Sequence, residues 1–328
     1  MQLKHHEKAL LAIADDKNAI HGILIMGNSI SMPEPVISKV ATETVPSMTE
    51  EELTRSLDDN PQDALANLRK WTLERDDTGD FRVYRDKEGN VYHSVTHILK
   101  ETSSQGEKAA LAKWLKRPGS AAKGEMARQI GTLAHENLEY VFKTARTLCS
   151  NAGNKRNSWK IYADGLARPT KAITSWALKK AIQGAPSVPF AADLHARSLR
   201  EWAGSGSITA IHASEFSIHH PLGFAGTADL LIDVDGLGLT LCDLKTTGSE
   251  KDKPDAYLAN YFCQLGAYAL GLDHLSKIRP KSGLILIAKG DGTIQARTLS
   301  LLELEGAKAL FKERMVIYRR LLDLGAVH

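Results

Sequence analysis

The chain is poor in cysteine. It has three, Cys149, Cys242 and Cys263, and no C-x-x-C pair. An odd, sparse set does not make a disulfide framework and fits a reducing compartment. Without a C-x-x-C pair, a cysteine-held zinc or iron–sulfur centre is not expected. Long apolar runs are missing too: no stretch of about eighteen residues could form a standard membrane-spanning helix. The first residues, Met1-Gln-Leu-Lys-His-His-Glu-Lys8, have neither the basic-then-apolar layout of a secretory signal nor the Arg-rich, acid-poor pattern of a transit peptide. A cytoplasmic chain with no membrane partner is expected. Internal repeats and low-complexity tracts are also absent from the sequence.

What is present is enough apolar residue for a packed core, 43% of 328 residues. That length suits one elaborated domain or two. The formal net charge of +3 hides two opposed regions. Residues 1–80 hold 8 Lys/Arg against 15 Asp/Glu, a net of −7, and residues 105–200 hold 17 against 6, a net of +11. The basic region includes Lys113, Lys116, Arg117, Lys123, Arg128, Lys143, Arg146, Lys155, Arg156, Lys160, Arg168 and Lys171. It suits a polyanion such as nucleic acid, although a solvated helical face would look the same.

Local patterns divide the chain at about residue 80. Residues 1–80 read as an acidic accessory extension. It holds an amphipathic stretch from Lys8 to Leu24, a Pro- and Ser/Thr-rich linker from Met32 to Met48, a helix capped by Thr49 with Glu52 three residues on, and further helix from Pro61 to Glu74. Residues 81–328 read as one domain. Phe81–Arg85 and Val91–His93 form a small hairpin. Ser94 or Thr96 caps a helix, and helices follow over Glu107–Lys116 and Ala121–Phe142. After an interruption at Gly153–Asn157 the helical pattern resumes through Trp176 and Ile182, and Ala191–Trp202 is another helix. Strands are expected at Ile208–Ile218, Ala225–Val234 and Leu239–Leu244, then a helix over Ala256–Leu270. Strands at Gly283–Ala288 and Thr293–Leu299 and a long helix over Leu302–Leu322 complete the chain. This order predicts an α/β fold, a mixed central sheet flanked by helices with a helical insertion.

The chemistry is concentrated in two of those strands. Gly226-Thr-Ala-Asp229 and Asp243-Leu-Lys245-Thr246 put one carboxylate on each of two neighbouring apolar strands and an amine two residues past the second. Two such carboxylates repel, and a hard divalent cation between them removes that cost. The cation would draw charge from a phosphoryl oxygen and lower the pKa of a bound water. Negative charge developing during phosphodiester cleavage is stabilised by both the metal and the ammonium. Glu215 lies on the preceding strand and Gly131-Thr-Leu-Ala-His135 on a helix. Gln264 and Tyr268 share one face of a later helix.

Taken in order, Ser94-Val-Thr96, Gly131-Thr-x-x-His135-Glu136, Glu215, Gly226-Thr-x-Asp229, Asp243-Leu-Lys245-Thr246 and Gln264-x-x-x-Tyr268 resemble the PD-(D/E)XK nuclease superfamily. Within it they resemble the RecB-like exonuclease branch, the group of the mitochondrial genome maintenance exonuclease and its phage relatives. The resemblance covers roughly residues 81–325 and implies a restriction-endonuclease-like core and a metal-dependent DNA exonuclease. Asp229 and Asp243, the backbone carbonyl of Leu244 and His135 would hold Mg²⁺ or Mn²⁺, the histidine tilting the site towards Mn²⁺. Lys245 would orient and help deprotonate the attacking water. Glu215 would take a second metal or a metal-bound water. Gln264, Tyr268, Ser94, Thr96 and Thr246 would contact the substrate strand. The basic helices would wall a passage for single-stranded DNA. Residues 1–80 fall outside the resemblance and would cover the basic cleft, meet a replication or recombination protein, or only stabilise the fold. The phage-type resemblance places the work in phage or bacterial DNA replication, recombination or degradation, in a host cytoplasm.

Other readings compete with this one. His135-Glu136-Asn-Leu-Glu139 resembles the start of a zinc-protease helix, but Glu139 replaces the second histidine and removes the two-His face. A nuclease acting on double-strand ends or on branched DNA fits the same motifs. So does a nucleic-acid-binding module without catalysis, although every acidic and basic catalytic position is filled.

Overall fold

The structure, a computed structural model, describes residues 73–79, 81–152, 159–161 and 167–327. The expectations for the helices and linker before residue 73 lie outside these residues, as does the interruption at Gly153–Asn157. The chain falls into two compact units. One holds 57–316. The other holds 1–56 with 317–328, of which the last turns of the final helix and the tail to Val327 are described.

The strands are β1 (Glu74–Asp76), β2 (Val83–Arg85), β3 (Val91–Ser94), β4 (Trp159–Ile161), β5 (Ala167–Pro169), β6 (Ile208–His220), β7 (Phe224–Val234), β8 (Gly238–Thr247), β9 (Ser282–Lys289) and β10 (Ile294–Leu299). The helices are α1 (Val95–Glu101), α2 (Gln105–Leu115), α3 (Ser120–Ala152), α4 (Lys171–Gln183), α5 (Phe190–Gly204), α6 (Ala259–Ser276) and α7 (Leu301–Asp323), with a 3₁₀ turn at Asp255–Tyr257. The fold is α/β, a mixed eight-stranded sheet flanked by helices. None of the described helices is long and apolar enough to cross a membrane.

Strand β7 organises the sheet. One of its edges carries β6 along its whole length, from Phe224 to Val234. The other edge is divided. β8 runs antiparallel along Leu230–Val234, while β3 runs parallel at Phe224 and Ala225. Between them, residues 226–229 face a gap in the sheet. β8 continues past its last pair with β7, Leu230↔Cys242, and through Thr247 pairs in parallel with β9.

Alternation along these strands sorts the two faces. Leu230, Ile232, Cys242, Leu244, Leu284 and Leu286 face a core made with Ala134, Leu138 and Phe142 of α3, Leu178 of α4 and Leu199 of α5. The opposite face packs on α6, which crosses β6, β7, β8 and β9. There Leu265 and Leu304 meet at Gly283.

Several expectations are corrected. Where the helical pattern is expected after Asn157, the described residues 159–161 and 167–169 instead form an antiparallel pair, β4–β5, Trp159↔Pro169 to Ile161↔Ala167, and a helix starts at Lys171. Pro169 lacks an N–H and biases its predecessor away from helix, so the helix starts after it. Glu74, expected at a helix end, opens β1 and pairs with Arg85. Asp77 draws in both Arg75 and Arg82 at 2.6 Å and closes the turn. Helix α3 runs ten residues past Phe142 because Ala145 and Cys149 continue its buried stripe. Strand β8 runs three residues further at its C-terminal end than expected because β9 supplies a partner for Lys245, Thr246 and Thr247.

α6 and α7 approach closely at Gly266, where an added Cβ would lie 2.3 Å from the backbone of Ala307, whereas Gly306 of α7 is open to solvent. Gly266→Ala is expected to destabilise the domain by about 1–3 kcal/mol through overpacking. Gly306→Ala should be neutral or stabilising by up to about 1 kcal/mol. Urea unfolding of both variants beside the wild type checks the pair.

Candidate metal centre

Three carboxylates stand in one row across the sheet. The β6–β7 register sets Glu215 opposite Asp229, between the pairs Ser214↔Leu230 and Phe216↔Ala228. The β7–β8 register would bring Asp243 opposite Asp229 one step beyond Leu230↔Cys242, where pairing stops. The backbones separate there, and the side chain of Asp229 fills the gap: its Oδ2 accepts the N–H of Leu244 at 2.5 Å. A backbone donor left unpaired by the split is thus satisfied by the acid that lies in it.

Glu215 occupies the left-handed region, φ +46°. A non-glycine residue there, within a strand, carries backbone strain that persists only where its surroundings enforce it, and such strain gathers at functional sites.

His135 approaches from α3. Gly131, one turn earlier, makes this possible: a Cβ there would stand 3.0 Å from Thr246 Oγ1, so the helix lies close over the end of β8. His135 Nδ1 is 3.9 Å from Asp229 Oδ1. Ligand atoms of His135, Glu215 and Asp229 all lie within 4.8 Å of one another. Their donor set, two carboxylates and an imidazole, could hold a metal ion.

Asp243 stands beside that group rather than within it. It is 1% exposed. Its Oδ2 forms an ion pair with Lys245, and its Oδ1 accepts the Nε2–H of Gln264 at 3.0 Å. The Lys245 ammonium also donates to the Leu244 carbonyl at 3.2 Å and lies 5.2 Å from the centre of the Tyr261 ring. Gln264 donates to the Tyr268 hydroxyl at 2.8 Å. Tyr268 crosses β7 at Gly226, where a Cβ would meet its ring at 2.7 Å. The two glycines of the motifs therefore have one role, to let a helix and an aromatic ring come close to the split strands.

The electrostatics follow from burial. Glu215 is pushed up to about 8, by desolvation first and then by the charges of Asp229 and Glu139. Asp243 is raised to about 6 and Asp229 is raised as well, desolvation outweighing the pull of Lys245 on each. Desolvation also lowers the pKa of His135, helped by the Lys245 charge, so the imidazole is neutral and free to ligate. For Lys245, desolvation pulls down but Asp243 and Asp229 outweigh it and hold the amine as an ammonium.

The structure thus brings His135, Glu215, Asp229, Asp243, Leu244, Lys245, Gln264 and Tyr268 into one neighbourhood, with Thr246 under Gly131. Ser94 lies apart, on β3 opposite Ala225. Its hydroxyl caps α1 by accepting the N–H of His97 at 3.1 Å, and it lies 3.3 Å from that of Thr96. Glu139, the departure from the protease pattern, is ion-paired with Lys143. Tyr261 was not among the expected site residues. Its signal was its place three residues before Gln264, on the same helix face. Neither the family models nor the curated proteins compared with this sequence match it.

Because Glu215 releases its proton near 4.5 when unfolded and near 8 when folded, the native state holds the extra proton between those values. Stability from this residue therefore falls as pH rises through that window. In EDTA, Glu215→Gln should flatten the decline and gain on the order of 2 kcal/mol over wild type at pH 8, with the gain vanishing near pH 4.5. Thermal melts at the two pH values measure it. Adding Mn²⁺ should raise the wild-type melting temperature at pH 8 more than that of the variant.

Proposed function

We propose that the protein is a metal-dependent DNA exonuclease that cuts phosphodiester bonds at single-stranded ends, built on a restriction-endonuclease-like core. The observation that carries this is the split between β7 and β8, which gathers Glu215, Asp229 and Asp243 in one row with Lys245 ion-paired to the last of them. Buried like charges at this density are unfavourable without a cation. A protein that needed only a stable sheet would carry apolar residues there.

Glu215, Asp229 and His135 would hold the ion, with Asp243 and the Leu244 carbonyl beside them. A bound divalent cation supplies a water of lowered pKa and neutralises the phosphoryl oxygens. Lys245, held as an ammonium, donates to the attacking water or to a phosphoryl oxygen and fixes its position. Gln264 keeps Asp243 in place through Oδ1, and Tyr268 holds Gln264. His135 stays neutral and presents a lone pair.

The substrate class is argued from charge. α2 has no buried residue, and with the first turns of α3 it presents exposed Lys113, Lys116, Arg117, Lys123 and Arg128. Trp114 seats on Gly124 and ties the two helices together. Helix α3 then runs from this basic pair directly to His135. Phosphates bound along it would make affinity fall steeply with salt. Helices walling the approach favour a single strand over the wider duplex.

With Mg²⁺ or Mn²⁺ the wild type should shorten a linear, end-labelled oligonucleotide, leave a circular single strand whole, and stop in EDTA. Asp243→Ala and Lys245→Ala should each lower the rate by about a hundredfold or more while retaining most DNA binding. A gel time course with both substrates reads this out. Equal loss of the circle would remove the end requirement. Intact linear DNA with both metals would leave only a nucleic-acid-binding module.

A further inference from the structure

We infer that Tyr257 and Tyr261 form a stacking platform for a nucleobase of the substrate strand, beside the phosphate to be cut. The inference rests on the nuclease reading above. Residues 261, 264 and 268 recur on α6 at spacings of three and four, which share a helix face, and Tyr257 ends the 3₁₀ turn that leads into that helix. Along this line exposure rises outward from the acids. Tyr268 is 4% exposed and Gln264 8%, Tyr261 is half-buried, and Tyr257 is 76% exposed. Gln264 donates to both Asp243 and Tyr268, and Tyr261 borders the Lys245 ammonium. The line therefore leads from the reacting centre to solvent.

The mount of Tyr257 is fixed although its side chain is open. Lys253, four residues earlier, is held at both backbone groups by Gln295, its N–H donating to Oε1 at 2.8 Å and its carbonyl accepting from Nε2 at 2.8 Å. Asp255 pairs with Arg297 at 3.2 Å. The turn then closes through Tyr257 N–H to the Pro254 carbonyl at 2.8 Å and Leu258 N–H to the Asp255 carbonyl at 2.9 Å. On the far side, Asn260 donates to Glu107 at the start of α2 at 2.9 Å. An exposed aromatic ring on a pinned turn loses little freedom when a flat ligand settles on it. With the Lys245 ammonium beside Tyr261 to meet a phosphate, the flat ligand that fits is a base, and stacking of this kind tolerates any sequence.

Fluorescence anisotropy in Ca²⁺, with a labelled short oligothymidylate and an abasic strand of equal length, tests this. Tyr257→Ala should weaken oligothymidylate binding about tenfold and leave the abasic strand unchanged, and Tyr257→Trp should restore binding. If Tyr257→Ala binds oligothymidylate like the wild type, or weakens both strands equally, the platform is wrong while the nuclease reading stands. If the wild type neither binds nor cuts oligothymidylate, the nuclease reading itself fails and takes the platform with it.

Discussion

The structure turns on a repulsion held in place. Glu215, Asp229 and Asp243 lie in register across three strands, two of them almost wholly shielded from water, and one ammonium, Lys245, is paired with them. Desolvation raises all three carboxyl pKa values, and the Asp229 charge adds to it for Glu215 and Asp243. The β7–β8 ladder stops at Leu230↔Cys242, and the next backbone donor turns to the Asp229 carboxylate. The opening and the acids are one feature, since the gap gives the acids room and the acids satisfy the gap.

The rest of the fold serves that opening. The apolar face beneath it, with Leu230, Cys242 and Leu244 against α3, α4 and α5, anchors the strands just before they part. Two glycines set the approach of everything else: Gly131 lowers α3 so that His135 reaches Asp229, and Gly226 makes room for Tyr268. α6 contributes one line of side chains, from Tyr268 through Gln264 to Tyr261, which touches Asp243 and then Lys245. Polar networks buried this deeply fix geometry only when their members are satisfied, and here the amide of Gln264 serves both Asp243 and Tyr268.

Much of this was legible in the sequence. The strands from Ile208 onward, the helix after them and the residues Asp229, Asp243, Lys245, His135, Gln264 and Tyr268 were marked by alternation, helical spacing and motif order. The nearness of Asp229 and Asp243 is expected from their places on neighbouring strands, and that of the helical residues from the family resemblance. What could not be read is long-range or conformational. The left-handed backbone of Glu215 comes from its surroundings, not from its own propensity, which opposes it. The extension of β8 to Thr247 depends on β9, whose pairing residues lie 42 positions later in the chain. The β4–β5 pair was obscured by a helical pattern on both sides, although Pro169 marked the boundary. The nearness of Tyr261 to Lys245 required knowing how α6 crosses β8.

The central claim is that these side chains enclose a divalent cation. Anomalous diffraction from crystals soaked in Mn²⁺ tests it most directly. The account predicts a peak within about 2.0–2.6 Å of carboxylate oxygens of Asp229 and Glu215 and of a His135 ring nitrogen, with Asp243 or the Leu244 carbonyl alongside. A fully soaked crystal with no peak there, or with manganese only on exposed surface carboxylates, would contradict it.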